Sequence, residues 1–228
     1  MLIQIPQVLN AEQLRQIRSK LDMAGPAWVD GRATAGHQGA QVKRNQQIAE
    51  DSAIAHELGD LILLALERHP LFISAALPNR VYPPMFNRYG ENMQFGSHID
   101  GAVRLIPGTG IKFRTDISAT LFLAGPDEYD GGELVVEDTY GMHSVKLQAG
   151  DMILYPATSL HQVTPITRGE RVASFFWVQS LISDDAQRTL LFDMDRSIQH
   201  LAATGADEAA RVQLMGCYHN LLRMWSEV

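Results

Sequence analysis

The chain has 228 residues, enough for one large domain or one domain with an appendage. Hydrophobic residues make up 46% and charged residues 20%, the balance of an ordinary globular protein. A net charge of −7 argues against a general binder of nucleic acid or anionic membrane, and the single Cys217 excludes an intrachain disulfide or a cysteine-rich zinc site.

The opening MLIQIPQVLNAEQLRQ has no basic segment followed by an apolar run, so no signal peptide is expected and the cytoplasm is the expected location. Asn10 is placed to cap a helix whose apolar positions are Leu14, Ile17 and Leu21, and Gly25-Pro26 ends it. The Gly- and Ala-rich stretch 31–41 reads as a long loop, and long loops in compact domains are often functional. Asp51 or Ser52 starts a second helix, with Ile54, Leu58, Leu61, Ile62 and Ala65 facing inward, and Pro70 stops it. Its apolar run, 61–66, is far too short to span a membrane. These two helices are expected to buttress a sheet.

From about Arg80 the period becomes strand-like. Extended segments are expected at 85–89, 93–99, 116–124, 133–137, 143–147, 152–155, 161–166 and 171–179, with 101–115 as a polar loop. Short strands at regular spacing with turn clusters between them indicate a sandwich or barrel. Helical spacing returns with Ser183-Asp184-Asp185 as a start signal, then Leu190, Leu191, Met194, Ile198 and Leu201. Gly205 breaks the run, and 208–225 forms a last helix with Val212, Met215, Leu222 and Trp225 on its apolar face. That face reads most simply as core packing, and a homodimer contact through the C-terminal helices is the second reading. The predicted fold class is mainly β: a double-stranded β-helix, or jelly roll, at about 80–180, with N-terminal buttressing helices and a C-terminal helical pair.

Four residues carry the chemistry in this reading. His98 and Asp100 are separated by one residue, so on a strand both side chains point to one face. One imidazole and one carboxylate make two thirds of a 2-His-1-carboxylate facial triad, the ligand set of non-haem Fe(II) oxygenases. His161 follows 63 residues after His98, a separation that lets a barrel bring a distal ligand beside the first pair. Arg171 lies 10 residues later, and a hairpin between the two strands would set its guanidinium below the pocket. Arginine offers a planar fork of donors that matches a carboxylate. Tyr89, on the strand before His98, has a phenol that can also reach an acid. His37, His56, His69, His143, His200 and His219 read as surface or satisfied residues, with His37 worth watching in the Gly-rich stretch. Lys43, Arg44 and Asn45 read equally as substrate contacts or as a solvated strand face. Leu121, Phe122, Leu123, Val135, Phe175 and Trp177 are suited to keeping water from the site.

The segments NRYGENMQFGSHID, GGEL, GDMILYPATSLHQVTPI and GERVASFFWVQS resemble the Fe(II)- and 2-oxoglutarate-dependent dioxygenases, in particular the bacterial PKHD-type hydroxylases related to prolyl 4-hydroxylase. The resemblance implies His98, Asp100 and His161 as iron ligands and Arg171, with Tyr89, as 2-oxoglutarate contacts. It also implies hydroxylation of an unactivated C–H with conversion of 2-oxoglutarate and O2 to succinate and CO2, and an L-ascorbate requirement. The substrate stays open between a protein side chain and a siderophore or other small molecule. Residues 1–180 are expected to form the dioxygenase domain and 181–228 a helical extension. The competing reading is a non-catalytic barrel that senses iron or a 2-oxo acid. No nucleic-acid or membrane partner is expected.

Overall fold

A computed structural model describes residues 1–205 and 207–228, with His37 described by its backbone alone. Among the described residues two antiparallel sheets form the core. The larger has eight strands, ordered Ile3–Ile5, Met152–Pro156, Ile117–Phe122, Arg171–Ser180, Met85–Tyr89, Gln46–Ile48 and Trp28–Asp30, with Pro78–Val81 also pairing to Arg171–Ser180. The smaller has five, ordered Gly141–Val145, Leu134–Asp138, His161–Val163, Gln94–His98 and Lys43–Arg44. Neighbours in each sheet are often far apart in sequence, which is the jelly-roll pattern predicted for the family.

Strand alternation divides the large sheet into two chemically different faces. Phe86, Ile117, Ala119, Leu121, Val172, Phe176 and Val178 join one apolar cluster with Ile17, Leu58 and Ile62 of the N-terminal helices. The opposite face carries Asn87, Tyr89, Ser118, Thr120, Tyr155 and Arg171 toward the small sheet. The buttressing helices therefore cover the apolar side and leave a polar side for the site.

The helix Ala11–Asp22 begins at Asn10 in a full capping box, whose side chain accepts from Glu12 and Gln13 while Gln13 reaches back. Helix Ala53–Leu66 is capped by Ser52. Four local expectations need correction. The stretch 31–41 is not an open loop. It forms a 3-10 turn, Gly31–Thr34, capped by Asp30, and a short helix, His37–Val42. Pro70 does not end the helical region but begins another helix, Pro70–Ala76, because proline at the first helical position sacrifices no hydrogen bond. Residues 101–115 contain a hairpin of two three-residue strands, Val103–Leu105 and Lys112–Arg114, too short to stand out by periodicity. On the last helix, Glu208–Trp225, Val212 and Met215 are exposed and Tyr218 is the buried residue.

Gly131 shows why GGEL needs glycine. Its φ is +72°, and a Cβ there would meet the Pro165 carbonyl oxygen at 2.0 Å. The bulge it allows seats Tyr129, whose ring and carbonyl are held by Lys146 from 4.2 and 2.7 Å.

Lys43 is an unusual interior residue, 4% exposed. Burial, and then the charge of Arg104, lower its pKa from 10.5 to about 8, while Asp100, Glu50 and Asp30 pull it back up.

Two predictions follow from the packing and from this charge. Leu121→Ala removes a fully buried side chain at the centre of the large sheet and should cost about 2–5 kcal/mol in urea unfolding; a loss under about 1 kcal/mol would contradict the burial. Between pH 8 and 10.5 the unfolded chain holds a proton on Lys43 that the folded chain has released. Wild-type stability should therefore rise relative to Lys43→Met across that window; a constant difference would show that Lys43 is not desolvated.

Candidate functional site: a His-Asp-His cluster beside a buried arginine

His161 stands directly opposite His98 in the antiparallel register between His161–Val163 and Gln94–His98. Their ring centroids are 4.2 Å apart. Each Nδ1 faces a backbone carbonyl, Gly96 O at 2.8 Å for His98 and Ser159 O at 3.0 Å for His161. A carbonyl only accepts, so each Nδ1 carries a hydrogen, which leaves Nε2 as the nitrogen available to a metal. Burial, and then His161, push the His98 pKa down to about 4, so the ring is neutral at pH 7.

Asp100 lies two residues beyond the end of its strand, so the turn, and not strand alternation, brings it to the imidazoles. The Ser118 hydroxyl donates to Asp100 Oδ2 at 2.6 Å and fixes the carboxylate. That same oxygen is 3.7 Å from His161 Nε2. Two metal bonds of about 2.1 Å span at most about 4.2 Å, so this pair fits around one ion. One ligand atom from each of His98, Asp100 and His161 lies within 4.8 Å of the others. Two imidazoles and one carboxylate on one side of a space suit a divalent iron that keeps positions open. Phe95 stacks on His98 at 3.5 Å and Tyr155 meets His161 edge-on at 5.0 Å, which orients both rings.

The cluster opens on a cavity of about 440 Å³ between the two sheets. Arg171 lines the same cavity and is 1% exposed. Among the described residues it has no carboxylate within 4 Å. Its guanidinium lies 5.5 Å from the Tyr89 ring and 5.2 Å from the Phe122 ring, and its Nε has no hydrogen-bond partner. A buried cation without a counterion is costly, and a bound carboxylate would supply one. Burial drives the Tyr89 hydroxyl up to about 12 against the opposing effects of Arg171 and Asn45, so it stays protonated and able to donate.

The sequence-predicted residues His98, Asp100, His161, Arg171 and Tyr89 all line this one cavity. The route differs from the expected one for Arg171. His161 and Arg171 do not share a hairpin. His161 belongs to the small sheet and Arg171 to the large one, and Arg171 pairs with Tyr89. The water-excluding wall also differs. Phe175 and Trp177 line the cavity as expected, but Leu121, Phe122, Leu123 and Val135 do not; Phe95 does. Of the trio left open, Lys43 lines the cavity, Asn45 is buried and Arg44 is exposed. The side chain of His37 lies outside the described residues. Sequence reasoning missed Ser118, Thr120, Asn87 and Gln47, polar residues buried at the cavity. For Ser118 and Thr120 the signal was present as alternating polar positions in an otherwise apolar strand, whereas Gln47 and Asn87 stand beside other polar residues and carry none.

Residues 84–179 match the model of the 2OG-Fe(II) oxygenase superfamily, and residues 185–227 match that of the PKHD-type hydroxylase C-terminal domain. A PKHD-type hydroxylase of Paraburkholderia xenovorans is 71% identical over 227 residues, covering 100% of both chains. One from Stenotrophomonas maltophilia is 58% identical over 228 residues, again covering 100% of both. Among solved structures the fold is similar to a Pseudomonas putida prolyl-4-hydroxylase, with TM-score 0.53, 20% identity and coverage of 78% of this chain and 92% of that one. It is also similar to a Trichoplax adhaerens prolyl hydroxylase in complex with a hypoxia inducible factor peptide fragment, with TM-score 0.58, 13% identity and coverage of 83% and 86%. HygX from Streptomyces hygroscopicus, seen with nickel, 2-oxoglutarate and hygromycin B bound, has TM-score 0.52, 13% identity and coverage of 80% and 84%. With relatives this similar along its whole length, the chain belongs to the PKHD-type hydroxylases of the 2OG-Fe(II) oxygenase superfamily.

Proposed function

We propose that His98, Asp100 and His161 hold Fe(II) and that Arg171, with the Tyr89 hydroxyl beside it, holds the distal carboxylate of 2-oxoglutarate. The observation that carries this reading is the His-Asp-His cluster sharing one cavity with a buried arginine that has no carboxylate partner among the described residues. When bound, Fe(II) and 2-oxoglutarate supply the oxidising power that inserts oxygen from O2 into an unactivated C–H, with release of succinate and CO2.

The protein's own share of the work is geometric and electrostatic. The Gly96 and Ser159 carbonyls fix both imidazole tautomers, and Ser118 fixes the Asp100 carboxylate. Arg171 has its counterion supplied by the co-substrate, so co-substrate binding relieves an unpaired buried charge. Phe175 and Trp177 line the cavity and exclude water from the reacting centre. The solved neighbours include one in complex with a peptide fragment and one with hygromycin B bound, so the shared fold accommodates peptide and small-molecule ligands alike.

Several further readings belong to the same proposal. L-ascorbate is the reductant suggested by the family. Residues 1–180 form the dioxygenase domain and 181–228 a helical extension, whose two helices bury Leu191, Ile198 and Tyr218 with Leu77 and Ile182. A homodimer contact through these helices fits the exposure of Val212 and Met224. A cytoplasmic location is part of the same proposal, and the acidic balance disfavours nucleic acid as a partner.

Anaerobic calorimetry separates the roles. Asp100→Ala should abolish Fe(II) binding, and Ser118→Ala should weaken it by about 10–100-fold. Arg171→Met should leave Fe(II) affinity unchanged and weaken 2-oxoglutarate by at least about 30-fold, the cost of truncating one member of a buried charge pair. Unchanged 2-oxoglutarate affinity in Arg171→Met would remove that residue from the assignment.

A further inference from the structure

The cavity holds more positive charge than iron and 2-oxoglutarate can use. On the reading above, the metal dication and Arg171 are balanced by Asp100 and the two carboxylates of 2-oxoglutarate. His98 is neutral. Two further cations, Lys43 and Arg104, line the same cavity. Among the described residues neither has a carboxylate within 4 Å.

The close protein contacts of both side chains are with uncharged groups. The Lys43 ammonium donates to Thr34 Oγ1 at 3.2 Å and otherwise sits over aromatic rings, 5.0 Å from Phe95 and 5.8 Å from Phe175. The Arg104 guanidinium lies over the Trp177 ring at 4.3 Å and the Tyr82 ring at 5.2 Å, with the Tyr82 hydroxyl as a neutral partner, and its buried Nε has no partner. The indole Nε1 of Trp177 is also buried and unpartnered. The two cations are close enough for Arg104 to disfavour the charged form of Lys43. Like charges brought together in a half-closed aromatic cleft are destabilising on their own and favourable only around a shared anion. They come from different elements, Lys43 from the edge of the small sheet and Arg104 from the Val103–Leu105 hairpin strand, so neither is there by virtue of the other's packing. The rim beside them presents Ile99 and Val103, both exposed apolar residues that also line the cavity.

Resting on the assignment of iron and 2-oxoglutarate above, we propose that the hydroxylated substrate carries a carboxylate or phosphate group that binds between Lys43 and Arg104. Its apolar portion lies against Phe95, Phe175 and Trp177. The anion's donors are the ammonium, the guanidinium and the free indole N–H. The aromatic walls keep this end dry and hold the remainder of the substrate toward the His-Asp-His cluster.

The test uses a matched pair of probes, 3-phenylpropionate and its uncharged amide. Each is titrated anaerobically into the full chain loaded with Fe(II) and saturating 2-oxoglutarate. The acid should bind at least about tenfold more tightly than the amide, the usual worth of a charge-assisted hydrogen bond. That preference should fall to within about twofold in Lys43→Met and in Arg104→Met and survive in Lys43→Arg. The affinity of both Met variants for 2-oxoglutarate should stay within about twofold of wild type. Equal binding of acid and amide, or no binding of either, overturns the proposal. So does a parallel loss of 2-oxoglutarate affinity in the two Met variants, which would make Lys43 and Arg104 co-substrate ligands. Failure of the wild type to take up Fe(II) and 2-oxoglutarate appears at the loading step, before any probe is added, and would overturn the underlying assignment instead.

Discussion

The site depends on one strand register. His161 faces His98 across the ladder between His161–Val163 and Gln94–His98, and a slip of one residue would turn one imidazole away from the other. The register is pinned on both sides. Val136 pairs with His161 from the Leu134–Asp138 strand, while Lys43 pairs with Phe95 at the far edge. The two sheets then face each other with opposite duties. The small sheet carries the imidazoles and the large sheet carries Ser118, which orients Asp100, and Arg171. Neither sheet alone makes a metal site with an acid-binding pocket beside it.

The second constraint is buried charge. A barrel interior lined by Arg171, Lys43 and Asp100 is unfavourable unless ligands complete it. The apolar cluster between the large sheet and the helices, including Leu58, Ile62, Phe86 and Phe176, supplies the stabilisation that lets the other face remain polar and incompletely paired. Function here is stored as unmet electrostatic need, held in place by a core on the opposite side of the same strands.

Much of this was legible in the sequence because local chemistry and family resemblance pointed the same way. The capping residues Asn10 and Ser52, the strand run from Met85 onward and the five candidate site residues all carry short-range or motif signals. What was not legible is long-range. The pairing of Arg171 with Tyr89, and not with the His161 strand, depends on which sheet each segment joins, and adjacency in sequence favours the wrong answer. Lys43 and Arg104 meet in one cavity only because a sheet edge and a hairpin converge, and three consecutive polar residues, Lys43, Arg44 and Asn45, carry no sign in the sequence that the first and third turn inward. Ser118 stands at a visible polar position in Ile117–Phe122, but its partnership with Asp100 is long-range.

The central claim is that this cavity turns over 2-oxoglutarate and does not merely bind it. The direct measurement is iron-dependent release of labelled CO2 from 2-oxoglutarate carrying the label at C1, in the presence of O2, comparing the wild type with His161→Ala. The account predicts release above the iron-free control by the wild type and none by the variant. Fe(II) and 2-oxoglutarate bound by the wild type, with release no greater than in the iron-free control, would contradict it and leave a barrel that senses its ligands.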